Sequence, residues 1–371
     1  MHKTIRLWTV FMAYGATLFA APNVRDVNCL KESLAEAIAK AEPGDTLRIL
    51  GNCRERVVIA TDRIVIDGLG TAVLDGGGTT GAAEPVILID GARGVTIRGV
   101  TIRNGPIGIL AQAHAAFKMQ NTTVQDNEDG LAVVEGSNIE ISDSIIRNNP
   151  DAGMGVINDS VAVFKGSVKF LNNGEGLGAS ASSVLDIRGA ALEVTNSTGA
   201  GIFLSGSTLT TGNADLAAGS SITANNNGGD GIFLGGSQLV IGASSPPADR
   251  LITAGNNVGS GINLAGFASI VNLGAGRFVL KGNAVGLTVG TESSVLSVGG
   301  FDVQNNGTGL LADGAGSLVL VSIPPNPAAF QSNTTADADL RFGTRITVSG
   351  AGFGKLVCDA TVLSRGTTKC P

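Results

Sequence analysis

A few side chains recur at spacings that could do chemistry. Arg103, Gln125 and Arg147 stand 22 residues apart, each just before an Asn-rich or acidic turn. Just beyond them come Glu128 and Asp129, then Asp151, then Glu175. A basic and an acidic column side by side could hold an acidic sugar, directly or through calcium, a cation that takes carboxylate oxygens. Otherwise they form an ordinary solvated face. Phe203 and Phe233, 30 residues apart, could present rings to a sugar. His114 sits alone in a polar turn. Glycosidic chemistry needs two carboxyls, or a base with a group that neutralises charge. The stretch "GGDGIFLGG" from Gly228 has Phe233 where a calcium-binding nonapeptide needs Asp, and it lacks the Lys of a phosphate loop. No metal site or cofactor is therefore expected, with calcium at the acidic column as the single alternative.

These spacings come from a repeat. An Asn-rich turn, a Gly and an aliphatic residue recur as "NGPIGIL", "DNEDGLAV", "NNPDAGMGV", "NNGEGLGA", "NSTGAGIFL", "NNGGDGIFL", "NNVGSGINL", "GNAVGLTV" and "NNGTGLLA". The Gly falls at 108, 130, 153, 176, 201, 231, 261, 286 and 309, in steps of 22 to 30 residues. A period of this size marks a solenoid. Each unit holds three short runs of alternating apolar and polar residues, which implies half-buried strands, and none has room for a stable helix. The longer steps read as loop insertions, such as Ala243 to Arg250.

The expected fold is all-β: a right-handed parallel β-helix of about 10–12 coils with a short N-terminal capping helix. Asn and Gly suit the left-handed backbone of sharp corners. Asn amides, and a Ser column at 137, 160, 183, 207, 237, 294 and 317, could bond from rung to rung. After the repeat Gly, the outward column is expected to be Leu110, Ala132, Gly155, Gly178, Phe203, Phe233, Asn263, Thr288, Leu311 and Arg341. That column holds no carboxylate. The NxS/T matches at Asn121, Asn158, Asn196, Asn306 and Asn333 read as by-products of the corners, not glycan sites.

Four segments are expected. Residues 1–21, with Lys3 and Arg6 before an apolar run and Ala20-Ala21 at its end, have the form of a secretory signal. Residues 22–47 cap the N-terminus, Leu30, Leu34, Ala37, Ile38 and Ala41 forming one helical face that Pro43-Gly44 stops. Residues 48–344 form the β-helix and 345–371 the C-terminal cap. Removing the signal leaves 23 of the 25 basic residues against 31 acidic, a net charge of −8. That charge suits a secreted, periplasmic or cell-surface protein and a poor nucleic-acid binder. No later segment reads as membrane-spanning. The four cysteines allow three pairings. Their positions favour Cys29–Cys53 and Cys358–Cys370, each closing a short loop worth roughly 3 kcal/mol.

The entry "SLAEAIAKAEPGDTLRI" followed by "VVIATDRIVIDGLGTAVLDGGG", together with the "NNxxxGI" and "GIxL" units, resembles the pectin-lyase-like superfamily of right-handed parallel β-helix proteins. The resemblance covers about residues 28 to 345 and implies a polysaccharide as partner. It does not extend to the catalytic patterns that members would imply. The Asn-Thr-Asp, Asp-Asp, His-Gly and Arg-x-Lys set of polygalacturonases is missing, as is the Asp-Pro-His-Glu stretch of alginate epimerases. The expected function is accordingly an exported, carbohydrate-interacting solenoid without an evident catalytic centre. The alternative is a lyase or epimerase acting on an acidic, uronate polysaccharide. The candidate binding residues are Arg103, Gln125, Arg147, Asp129, Asp151, Glu175, Phe203 and Phe233.

Overall fold

The computed structural model describes residues 23–78, 84–211, 220–242, 250–273, 276–321, 328–349, 352–366 and Cys370. The segment expected to be a secretory signal, residues 1–21, and most of the Ala243 to Arg250 insertion lie outside these residues. The alternating runs form two parallel sheets, one of 23 strands and one of 13. The narrow sheet takes one strand from each coil, in strict chain order from Val57–Ile59 to Leu356–Cys358, so the solenoid has about a dozen coils. The wide sheet takes the other two runs. In early coils these join into one bent strand, as in Asn138–Arg147 and Val161–Leu171. In later coils they separate, as in Gln238–Ile241 and Leu251–Gly255.

Stacking identical positions produces the core. On the narrow sheet Ile109, Leu131, Met154, Leu177, Ile202, Ile232, Ile262, Leu287 and Leu310 are register partners, all buried. Toward the C-terminal end, Phe278, Phe301, Phe330 and Phe353 stack in series, with centroids 4.5, 6.0 and 4.9 Å apart. Large rings on four successive rungs fill the interior where other coils use aliphatics.

The two Asn of each corner do different work. The first takes the left-handed backbone: Asn104, Asn148, Asn172, Asn196, Asn226, Asn256 and Asn305 have φ between 55° and 59°. The second points inward and builds a ladder. Asn227 donates its backbone N–H and its side-chain amide to Asn257 Oδ1, at 2.9 and 3.0 Å. Asn257 does the same to Asn283, Asn283 to Asn306 and Asn306 to Asn333. Each amide also reaches a main-chain carbonyl, for example Asn257 Nδ2 to Ala224 O at 3.0 Å. The ladder ends on Asp337, which accepts the Asn333 backbone and amide groups and the Lys355 N–H. Burial opposes its charge, yet these donors together hold the carboxyl below its ordinary range. Asn306 and Asn333 spend their amides inside this ladder, so neither is a glycan acceptor.

The repeat Gly is there for a different reason than the corners suggested. None of these glycines has a positive φ. A Cβ on Gly130, Gly153 or Gly261 would stand under 3.0 Å from the carbonyl oxygen of the glycine one coil on. The backbones of adjacent coils touch at this point. The Ser ladder runs as expected through Ser137, Ser160, Ser183, Ser207 and Ser237, each hydroxyl from Ser183 onward accepting the N–H of the serine one coil back. It does not include Ser294: the buried residue is Ser293, and Ser294 is the exposed first residue of a strand, paired with Ser317. The serine lies one residue earlier because its side chain must enter the corner, not the sheet face.

The N-terminal helix spans Leu34–Ala39, shorter than the expected face. Leu34, Ala37 and Ile38 are buried, whereas Leu30 precedes the helix and is 85 % exposed. Ser33 caps it, and the Glu55 carboxylate accepts from Ser33 Oγ and from the Leu34 and Ala35 N–H groups. An anion at a helix N-terminus is stabilising. Both expected disulfides are present, Cys29–Cys53 and Cys358–Cys370. Parallel pairing extends into both end segments: Val24–Asn28 pairs with Thr46–Leu50, and Arg345–Ser349 with Leu363–Gly366. Among the described residues no helix is long and apolar enough to cross a membrane.

Two stability outcomes follow from the stacking. Asn257→Ala orphans the buried Asn227 N–H and leaves its amide only the Val194 carbonyl, and should lower unfolding free energy in urea by at least about 2 kcal/mol; an unchanged midpoint would remove the ladder from the account. Gly130→Ala should cost about 1–3 kcal/mol or more by overpacking, while Gly352→Ala, with open space at its Cβ, stays near wild type. Equal midpoints for the two variants would contradict the close-approach reading.

Candidate groove on the narrow sheet

Arg103, Gln125 and Arg147 are register partners on the wide sheet, one rung apart. Their polar groups are already engaged. Arg103 Nε donates to Asp75 Oδ2 at 3.0 Å, and Arg147 donates twice to Gln125 Oε1, at 3.0 and 2.8 Å. Burial raises Asp75, but the Gly77 N–H, the Asn104 amide and Arg103 outweigh it and leave its carboxyl below the ordinary range. The column is a self-contained surface ladder before the Asn corner.

The acidic residues lie past that corner and divide between two settings. Asp151 is exposed at the corner. Asp129 and Glu175 begin strands of the narrow sheet, with Ala152 between them in register. Their Cα atoms are therefore two rungs, about 10 Å, apart. Strict alternation would not place them beside Ala132 and Gly178, three residues on. The burial pattern of Asp129–Val133 explains it: two buried residues, Gly130 and Leu131, follow the acid in succession; in Glu175–Ser180 Gly176 and Leu177 do the same, and Gly178 beyond them is buried too. The repeat Gly, pressed on the next coil, takes up one residue without turning outward. The acid before it and the residue two after it then share the outer face.

The outward column is otherwise as expected, except at its end. Leu311 pairs with Asp339, not Arg341, and Arg341 lies two residues on, ion-paired to that aspartate. A carboxylate thus stands in a column that was expected to hold none, one rung before Val357. From Asn306 to Asn333 the step is 27 residues and from Leu311 to Asp339 it is 28, so the last corner carries one residue more than the one before it. Near the middle the column is small: Ala132, Gly155 and Gly178, followed by Phe203. Here the surface dips into a recess of about 280 Å³ lined by Asp129, Glu175, Gly155, Gly178 and Phe203, with Ser180 at its margin. Glu175 folds over its own strand, Oε1 only 2.5 Å from where a Cβ on Gly178 would stand. Glycine at 178 leaves room for that carboxylate.

Phe203 and Phe233 are register partners with centroids 5.0 Å apart and planes 7° apart. The rings stack on each other along the solenoid axis. They do not form a flat platform facing out; Phe203 instead turns its free face toward Gly178 and closes one end of the recess.

Burial, then the like charges of Asp151 and Glu128, raise the Asp129 carboxyl, only partly offset by the Ala152 N–H. Burial alone raises Glu175. No cation contributes at either site. A carboxyl that keeps its proton above the ordinary range can serve as a general acid, whereas a partner carboxyl must ionise to serve as base or nucleophile. His114 is not part of this group. It lies beyond the far end of strand Ile107–Gln112, in the next corner, against Gly136. Among the described residues, three ligand-type side chains converge only at Cys29, Cys53 and Glu55. There the sulfurs are bonded to each other and the carboxylate caps the helix.

Residues 85–245 match a family model described as a right handed beta helix region. No curated protein matches the chain. The solved structures similar to it include the A-module of mannuronan C-5 epimerase AlgE6 from Azotobacter vinelandii, at 14% identity, 94% of this chain, 90% of that one and a TM-score of 0.47. Another is an alginate lyase from Paenibacillus sp. str. FPU-7, at 14% identity, 92% of this chain, 97% of that one and a TM-score of 0.35.

The raised Glu175 carboxyl has a consequence for stability. The folded state keeps its proton longer than the unfolded chain, so stability falls as pH rises from the ordinary glutamate value, about 4.3, through the raised one. Glu175→Gln removes that loss. Its melting temperature should exceed wild type by a margin that opens as pH rises above the ordinary glutamate value of about 4.3. A constant or shrinking margin would remove the buried charge from the account.

Proposed function

We propose that this chain, a right-handed parallel β-helix of the pectin-lyase-like type, binds an extended polysaccharide along its narrow sheet, with one sugar unit seated in the recess between Glu175 and Phe203. The observation that carries this reading is the recess itself. At about 280 Å³ it falls at or below the small end of ligand pockets, roughly 300–1,000 Å³. It suits one ring of a polymer whose other units lie along an open sheet. Its lining joins an aromatic face to carboxyl and hydroxyl groups, the mixture a sugar ring needs. Two disulfides and an N-terminal segment of secretory form support a site of action outside the cytoplasm.

The raised Asp129 and Glu175 carboxyls favour a second reading of the same groove, hydrolysis of the bound glycan by an acid and a base. Elimination or epimerisation of a uronate has less support, because the recess lining contains no Lys, Arg, His or Tyr.

Titration calorimetry of the full chain against a panel of hexasaccharides tests the binding. Phe203→Ala should weaken the best ligand about tenfold, near 1.4 kcal/mol, while Phe267→Ala, an exposed corner residue, should leave it unchanged. Equal affinity for wild type and Phe203→Ala would sink the recess as the site. New reducing ends, lost in Glu175→Gln, would establish hydrolysis.

A further inference from the structure

We infer that the groove selects a glycan without carboxylate groups and discriminates against polyuronates, an inference that rests on the groove assignment above. Its basis is the sign and placement of charge. The outer face of the narrow sheet from Leu110 to Leu311 carries no Lys, Arg or His. The position before the repeat Gly carries Asp129 and Glu175, which begin their strands, and Asp230, which lies two residues before the strand Ile232–Gly235. Asp230 is occupied, accepting the Ser260 N–H and the Asn263 amide. Asp129 and Glu175 face the recess with no cation contributing to either.

The basic side chains that could have offset them are held elsewhere. Arg103 is committed to Asp75 and Arg147 to Gln125, both before the Asn corner and on the other sheet. A polyuronate lying along the sheet would bring one negative charge per sugar past Glu128, Asp129, Asp151 and Glu175. Charges a few ångströms apart at a protein surface interact strongly, and here every pair repels. An uncharged sugar meets no such barrier. It can donate hydroxyls to the carboxylates and set its apolar face against Phe203.

The test uses the full chain with three probes: a neutral hexaglucan or hexamannan, an oligomannuronate and an oligogalacturonate. At pH 7 and low salt the neutral hexamer should bind at least about tenfold more tightly than either uronate. The gap should narrow with added salt, and in Glu175→Gln and Asp151→Asn, the latter at an exposed corner position. A uronate that binds as tightly as the neutral hexamer, or a gap that neither variant alters, overturns the selectivity while leaving the groove intact. Failure of all three probes to bind overturns the groove and the selectivity together.

Discussion

Everything in this molecule depends on one constraint: each coil lies on the next at a single rung spacing, with backbones in contact at the repeat glycine. Glycine is required there because the next carbonyl occupies the place of a side chain. Once the coils are that close, every residue type repeats at one height. Inward aliphatics meet inward aliphatics and make a continuous core. Corner amides meet corner amides and satisfy each other without water, which is what a buried polar group needs. The ladder must still end somewhere, and Asp337 closes it by accepting three N–H groups that have no further asparagine to reach.

The same contact shapes the groove. By taking up a residue without alternating, the glycine brings the side chain before it onto the outer face of the narrow sheet. In most coils that side chain is Ile, Ala, Val or Thr and has no consequence. In three coils it is acidic: Asp230 is taken up by the Ser260 N–H and the Asn263 amide, while the residues across from Asp129 and Glu175 are small. A device that exists for packing therefore places two partly buried carboxyls beside an open recess. Their raised proton affinity follows from burial and from the lack of any cation nearby, since the neighbouring arginines spend their donors on Asp75 and Gln125.

The aromatic pair illustrates how a column of outward residues can mislead. Rings one rung apart are closer to each other than to any ligand, and they bury most area by stacking. Phe203 and Phe233 do so, which leaves one free face at the end of the pair instead of a platform along it. The core phenylalanines from Phe278 to Phe353 obey the same rule on the inside.

The amino-acid sequence alone determined the solenoid, its period, the inward column, the corners, the disulfide partners and the capping helix. All of these follow from local alternation, composition and spacing, and a residue's role there depends on its own coil. The register of Arg103, Gln125 and Arg147 was legible for the same reason. Only the tertiary structure decided which asparagine turns and which bonds, that the repeat glycine serves contact and not conformation, and that the Ser column passes through Ser293. It also decided that Asp129 and Glu175 leave the corner for the sheet face. Each of these turns on the contact between coils, where a carbonyl from one layer displaces a side chain of another, and no counting of alternation along a single strand contains that second layer.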